Sequence, residues 1–358
     1  MLSRRAVLAG SGGGFAALVG GVFGFDRWQP GSSPYDWPMA RYDAGGTAHH
    51  PEASGPKGEL TVRWTTSIDT EFFSPPIRVG SALYVADDRN LTVIDTDSGA
   101  IRFRAPIDIR SPVVGVDASK YETDSVVARI EDGYVGCNAS GGLGLSGAML
   151  GVRRWRLLDG VADQQTSTTP AIDGRFPKSR PWNGELPSSH SPVSVDGILY
   201  APGPRGLVAV DPNNGKVRWQ HRDRALTRPS RPAIRDGTAV LAGSGTVVAL
   251  RIDDRTRLWE RSLDHSALSA PTAISSKVFV PHEMGLTALD FDGAVRWRRT
   301  FDETTRRVRR AAATQDAVVF VHGGTLYGLS AHSGETLWTV AEITTPPTIA
   351  DGVAYATG

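Results

Sequence analysis

Short runs of β-branched and aromatic residues, each broken by a polar turn signal, recur along this chain as a set of four about every forty residues, the pattern of propeller blades. Each unit has the same grammar. A proline stands near its start (Pro75, Pro112, Pro192, Pro232, Pro271 and Pro346), where a first strand needs no ladder donor. An Asp-Gly turn precedes the second strand, as at Asp196-Gly197, Asp236-Gly237 and Asp351-Gly352. The third strand is apolar and ends in an acid: Asp95, Asp211 or Asp290. A tight turn follows, such as Asp97-Ser98-Gly99 or Asn213-Asn214-Gly215. The fourth strand then delivers one large aromatic residue, read as a wedge between neighbouring blades.

Counting wedges counts blades. Trp64, Phe103, Trp155, Trp219, Trp259, Trp297 and Trp338 predict an all-β, seven-bladed propeller, with eight blades the less favoured count. After Trp338 come only first and second strands, Thr345-Pro-Pro-Thr-Ile and Asp351-Gly-Val-Ala-Tyr. The front strand around Trp64 is therefore expected to complete the last blade, so that N- and C-terminal strands close the ring and remove exposed edges. Two wedge spacings, 52 and 64 residues, exceed the 38 to 41 found elsewhere. The first excess is assigned to an irregular blade with a Gly-rich loop, Ala139 to Gly147. The second is assigned to a polar, Pro-rich insertion over 163–190.

Composition narrows the chemistry. The formal charge of +1 makes the molecule no general trap for nucleic acid, and a nucleic-acid partner is not expected. Cys137 is the single cysteine, which excludes an intrachain disulfide or a zinc cluster and reads as a packed thiol. Residues 1–25 stand apart: Arg4-Arg5 precede an apolar Gly/Ala-rich stretch from Ala6 to Phe25, the pattern of a twin-arginine export signal or an N-terminal hydrophobic anchor helix. No small-x-small cleavage site precedes Asp26, which keeps an uncleaved membrane anchor through residues 6–25 open. Either way the propeller is expected outside the cytoplasm. Residues 26–57 read as linker and lead-in, and 58–358 as the propeller.

The stretches Gly206-Leu-Val-Ala-Val-Asp-Pro-Asn-Asn-Gly-Lys-Val-Arg-Trp219 and Gly324-Thr-Leu-Tyr-Gly-Leu-Ser-Ala-His-Ser-Gly-Glu-Thr-Leu-Trp338 resemble the repeats of the pyrroloquinoline-quinone (PQQ)-like propeller family. The entry segment Trp37 to Pro51 is similar to the lead-in of exported members. The resemblance implies either a quinone-dependent dehydrogenase or a non-catalytic scaffold of the kind found in outer-membrane assembly. The dehydrogenases hold a quinone in the central channel with a calcium ion and an Asp base, and the alcohol-oxidising branch adds a disulfide of adjacent cysteines. This chain has no second cysteine, is shorter, and shows no acid cluster outside the repeat grammar. The scaffold member is a lipoprotein, and here no cysteine lies beside the N-terminal segment.

No catalytic residue is therefore assigned, and no cofactor is expected, with PQQ plus calcium as the alternative. The expected partner is another envelope protein. An anionic polymer or glycan is the further alternative, carried by Arg296, Arg298, Arg299, Arg306, Arg307, Arg309 and Arg310, seven arginines within fifteen residues. The competing reading of these arginines is a solvated outer strand. Trp182, inside the insertion and outside the wedge register, is a second candidate contact. The eight histidines show no metal spacing, and Gly243-Ser-Gly245 has no following helix to make a phosphate loop.

Overall fold

Six four-stranded antiparallel sheets follow one another along the chain, each pairing its strands in sequence order. In the computed structural model the described residues are 31–158 and 191–358, apart from 35, 60, 69, 71–73, 88, 132, 146–147, 204, 228, 244, 268 and 303. Blade one runs Ile77–Val79, Ala82–Ala86, Leu91–Asp95, Ile101–Ala105. The first strands of all blades face one another around the axis: in blades two to seven these are Val114–Val116, Val193–Val195, Ala233–Arg235, Thr272–Ala273, Ala312–Ala313 and Thr348–Ala350. These are the seven blades the repeat predicts. The insertion over 163–190 and the hydrophobic segment 1–25 lie outside the described residues.

The acid ending each third strand builds the turn that follows. Asp95 accepts from the backbone N–H of Asp97 and Ser98 and from the Ser98 hydroxyl, and its second oxygen pairs with Arg102. Ser98 and Arg102 hold its carboxyl well below the usual carboxylate range. Asp211 repeats the arrangement with Asn213 and Arg218, and Asp290 with Asp292, Ala294 and Arg296. The turn returns the chain so that the aromatic of the fourth strand lands at one fixed register.

At that register each indole faces a small residue across its own ladder: Gly136 opposite Trp155, Ala209 opposite Trp219, Ala249 opposite Trp259, Ala288 opposite Trp297 and Gly328 opposite Trp338. The smaller Phe103 faces the larger Val93. The pairing conserves volume, as close packing requires. Trp155, Trp259 and Trp297 then cover glycine turns of the next blade and donate Nε1–H to the carbonyls of Pro212, Phe291 and Ala331 at 2.8, 2.7 and 3.1 Å. Those glycines, Gly215, Gly293 and Gly334, have φ of 71°, 81° and 76°, and a Cβ there would stand within 2.5, 2.7 and 2.6 Å of the indole. Trp64 makes the same contact with blade one, covering Gly99 and donating to Thr96 O at 3.0 Å.

Blade seven closes differently from expectation. Residues 61–68 carry the Trp64 wedge but join no ladder. The strand that ties front to back is instead His49–His50, which pairs parallel with Thr348–Ala350 on its axial side, while Val353–Tyr355 pairs antiparallel on the other. Lys57 and Asp351 form an ion pair, and the Tyr355 hydroxyl donates to Pro56 O at 3.0 Å. The Gly-rich loop of blade two is also more ordered than expected, for it contains a hairpin, Leu143–Leu145 with Ala148–Leu150, before the fourth strand.

Residues 36–50, read from sequence as a lead-in, run through the axis itself. Trp37 exchanges two backbone hydrogen bonds with Arg78 of blade one, at 2.8 and 3.0 Å. The carbonyls of Pro38, Ala44, Gly45, Thr47 and Ala48 then accept from Gly115, Ile234, Ala273, Ala313 and Ile349 of blades two, four, five, six and seven, at 2.7 to 2.9 Å. Reaching so many inner strands bends the segment into left-handed backbone at Tyr42 (φ 70°) and Ala48 (φ 47°), a conformation non-glycine residues adopt only when their surroundings impose it. At Gly45 a Cβ would stand 2.4 Å from Ala273 O, so only glycine permits this approach.

Two stability measurements follow from the packing. Trp297→Ala empties a covered wedge site and is expected to cost about 3–5 kcal/mol in denaturant melts, whereas Trp338→Ala, at 40% exposure, costs about 1 kcal/mol or less. Gly45→Ala is expected to lower stability by about 2–3 kcal/mol, because the axial segment must move off blade five and leave the Ala273 N–H unpaired.

Candidate functional site: rim arginines and the axial channel

The fifteen residues from Arg296 to Arg310 do not present one basic face. Arg296 is the turn clamp of Asp290, and Arg298 pairs with Asp264 of the preceding connection at 3.0 Å. The Arg299 guanidinium lies 5.5 Å from the centre of the Phe301 ring. Arg309 donates from Nε to Thr344 O at 2.8 Å, linking blades six and seven. Arg306 and Arg307 stay exposed on the connection. Arg310 turns inward and is buried. Trp182 falls outside the described residues.

Around Phe301 the ends of the second strands of blades five and six, with the connection from blade four to blade five, bring histidines together. His282 stacks on His265 with ring centres 5.6 Å apart, and its Nε2 lies 3.1 Å from the Thr287 hydroxyl. His322 stacks on Phe301 at 4.5 Å and its Nε2 lies 3.0 Å from Glu283 O. His282 is 3% exposed, and burial first, then the charges of His265, His322 and Arg298, push it down to about 4, with Glu283 opposing. Among the described residues no group of three or more His, Cys, Asp or Glu could hold a metal ion. Cys137 is buried, and burial pushes its thiol up to about 12, as expected of a packed, inert side chain.

On the axis, Arg41 donates from Nη1 to Pro347 O at 3.0 Å and from Nη2 to Ala311 O at 2.6 Å, bridging blades six and seven. Arg231 donates from Nη2 to Asp43 O at 2.7 Å, and its Nη1 lies so close to Gly46 that a Cβ there would stand at 2.7 Å. A cavity of 260 Å³ opens beside the same segment, lined by Pro38, Met39, Gly115, Asp117, Asp124 and Ser194. Burial, then Asp117, raises the Asp124 carboxyl. Sequence reasoning missed Arg41, Asp43 and Arg231. The available signal was the repeat register, in which Arg231, like Arg310, stands where the remaining blades carry proline, serine or alanine.

The histidine cluster sets a pH dependence. An unfolded chain protonates His282 near 6.5, whereas the folded site resists protonation until about 4. Its contribution is thus complete above pH 6.5 and is lost as pH falls toward 4, by on the order of 2 kcal/mol. Melts of His282→Asn across this window are expected to slope less steeply than wild type. Cys137 is expected to react with a thiol reagent only after denaturation, as spectrophotometric titration would show.

The comparisons agree with this geometry. No curated protein sequence matches the chain. Among solved structures, BamB from Moraxella catarrhalis superposes with a TM-score of 0.55 at 16% identity, covering 77% of this chain and 76% of that one. A europium-containing methanol dehydrogenase superposes with a TM-score of 0.62 at 11% identity, covering 90% and 82%. These likenesses are of fold. A family model described as outer membrane protein assembly factor BamB matches residues 60–222, 151–314 and 282–358, and with most of its blades so matched the chain belongs to that family of PQQ-like propellers.

Proposed function

We propose that this protein is a non-catalytic propeller that works outside the cytoplasm as a scaffold, holding a protein partner at the cell envelope. The observation that carries the reading is the outer edge of blade six. All five residues of Thr336–Val340 are exposed, with Leu337 at 58% and Val340 at 48%. Trp338 is the one exposed wedge, at 40%: it packs on Gly328 of its own blade, and among the described residues no glycine turn of blade seven covers it. An unpaired strand edge that exposes Leu337, Trp338 and Val340 suits a protein surface that adds a strand or covers the indole. The family match and the arginine pair before an apolar N-terminal stretch support the envelope setting.

The methanol dehydrogenase likeness supports a second reading, quinone chemistry. A quinone of that kind sits in the channel, and here residues 36–50 run along the axis with backbone hydrogen bonds to six blades, which weighs against a planar group stacked there.

Two experiments separate the readings. A photo-crosslinking residue at position 337 in the producing cell is expected to give a discrete protein adduct, while one at exposed position 218 gives none. Absence of any adduct at position 337 would sink the scaffold reading for this edge. Titration of the purified chain with pyrroloquinoline quinone and calcium is expected to show neither heat nor dye-linked oxidation of alcohols and aldoses. Saturable binding with turnover would replace the scaffold by an enzyme.

A further inference from the structure

Three buried guanidinium groups gather beside the axis, and among the described residues none of them is paired with a carboxylate. Arg41 comes from the axial segment. Arg231 and Arg310 come from equivalent places in blades four and six, two residues ahead of the inner strand, where the remaining blades carry Pro75, Pro112, Ser191, Ala270 and Pro346. Their exposures are 6%, 1% and 7%. Among the described residues no carboxylate lies within 4.0 Å of any of the three. Asp43 is the one acid acting on Arg41 and Arg231, and its Oδ1 already accepts from Thr47 N at 2.9 Å.

The hydrogen bonds the three do make are, Met39 Sδ apart, to backbone carbonyls: Pro347 and Ala311 for Arg41, Asp43 and Pro232 for Arg231. Arg41 Nε, Arg231 Nε and Arg310 Nη2 are buried with no acceptor. A guanidinium does not shed its charge as a lysine can, and burying one unpaired is costly. Three together add mutual repulsion: burial first and then Arg231 depress Arg41 to about 9, with Asp43 opposing, and burial first, then Arg231 and Arg41, lowers Arg310 well below its ordinary value. Such a cluster is stable when a multivalent oxyanion sits among the forks and takes up the free N–H groups.

We propose that the propeller holds a small multivalent oxyanion, of the phosphate or carboxylate class, on Arg41, Arg231 and Arg310 inside its axial channel. The ion would tie the axial segment to blades four and six from within, at a place separate from the outer edge of blade six. It neutralises the cluster and shares the role that Asp43 fills only in part.

The test uses the full-length chain dialysed into chloride buffer. Inorganic phosphate, sulfate and succinate are added separately at matched ionic strength, with thermal melting and titration calorimetry as readouts. A rise in Tm of about 3 °C over chloride is expected at a hundredfold excess over Kd. A rise with phosphate or sulfate alone assigns a tetrahedral anion, and a rise with succinate alone assigns a carboxylate. Arg310→Gln and Arg41→Gln are expected to abolish the rise, whereas Arg306→Gln on the exposed connection retains it. Ion chromatography of acid-denatured wild-type protein, expected to release about one equivalent, decides the matter where a variant does not fold. The proposal is overturned if none of the three anions raises the wild-type Tm and none is released, or if the rise persists in both buried variants.

Discussion

A ring of sheets has an inner circumference as well as an outer one, and the inner strands leave backbone groups facing the axis. Buried backbone N–H groups must find acceptors. In this molecule the chain supplies them itself, by drawing residues 36–50 past six of the seven inner strands. The rest of the architecture accommodates that thread. Gly45 is there because Ala273 O comes too close for any side chain, and Tyr42 and Ala48 accept unfavourable backbone so that successive carbonyls face successive blades. The outer ring obeys a second and simpler rule, one large aromatic per blade at a fixed register, four of them also covering a glycine turn.

The outer rule was legible in the sequence because it is local. A wedge, its small cross-strand partner and the turn acid all lie within one repeat, so periodicity alone located Trp155, Trp259 and Trp297 and gave the roles of Asp95, Asp211 and Asp290. Blade seven was legible in outline but not in detail. Trp64 carries the wedge pattern and does pack as one, yet the strand that hydrogen-bonds blade seven is His49–His50, two residues too short to show any alternation. The Gly-rich loop of blade two reads as irregular because glycine erases the period, although the backbone still pairs there.

The axial site was not legible for a different reason. Arg41, Arg231 and Arg310 are distant in sequence and become neighbours only when the ring closes, and an isolated arginine in a repeat looks like any solvated charge. The arginine-rich stretch from 296 to 310 drew attention by density, but density along the chain is not density in space. The fold distributes those side chains among a turn clamp, an ion pair, an aromatic face, a link to blade seven and the axis. Charge count located the region and topology decided what each member does there.

The thread also fixes an order of events. Residue 48 bonds to residue 349, so the segment that precedes every blade cannot take its native place until the last blade exists. Contacts this distant in sequence pay their loop-closure entropy before they return any energy, and folding through them is slow. Until then six inner edges are bare and able to pair with other chains. The propeller is thus a lock whose bolt is made first and thrown last, and its most dangerous moment comes when all the blades are present and the axis is still empty.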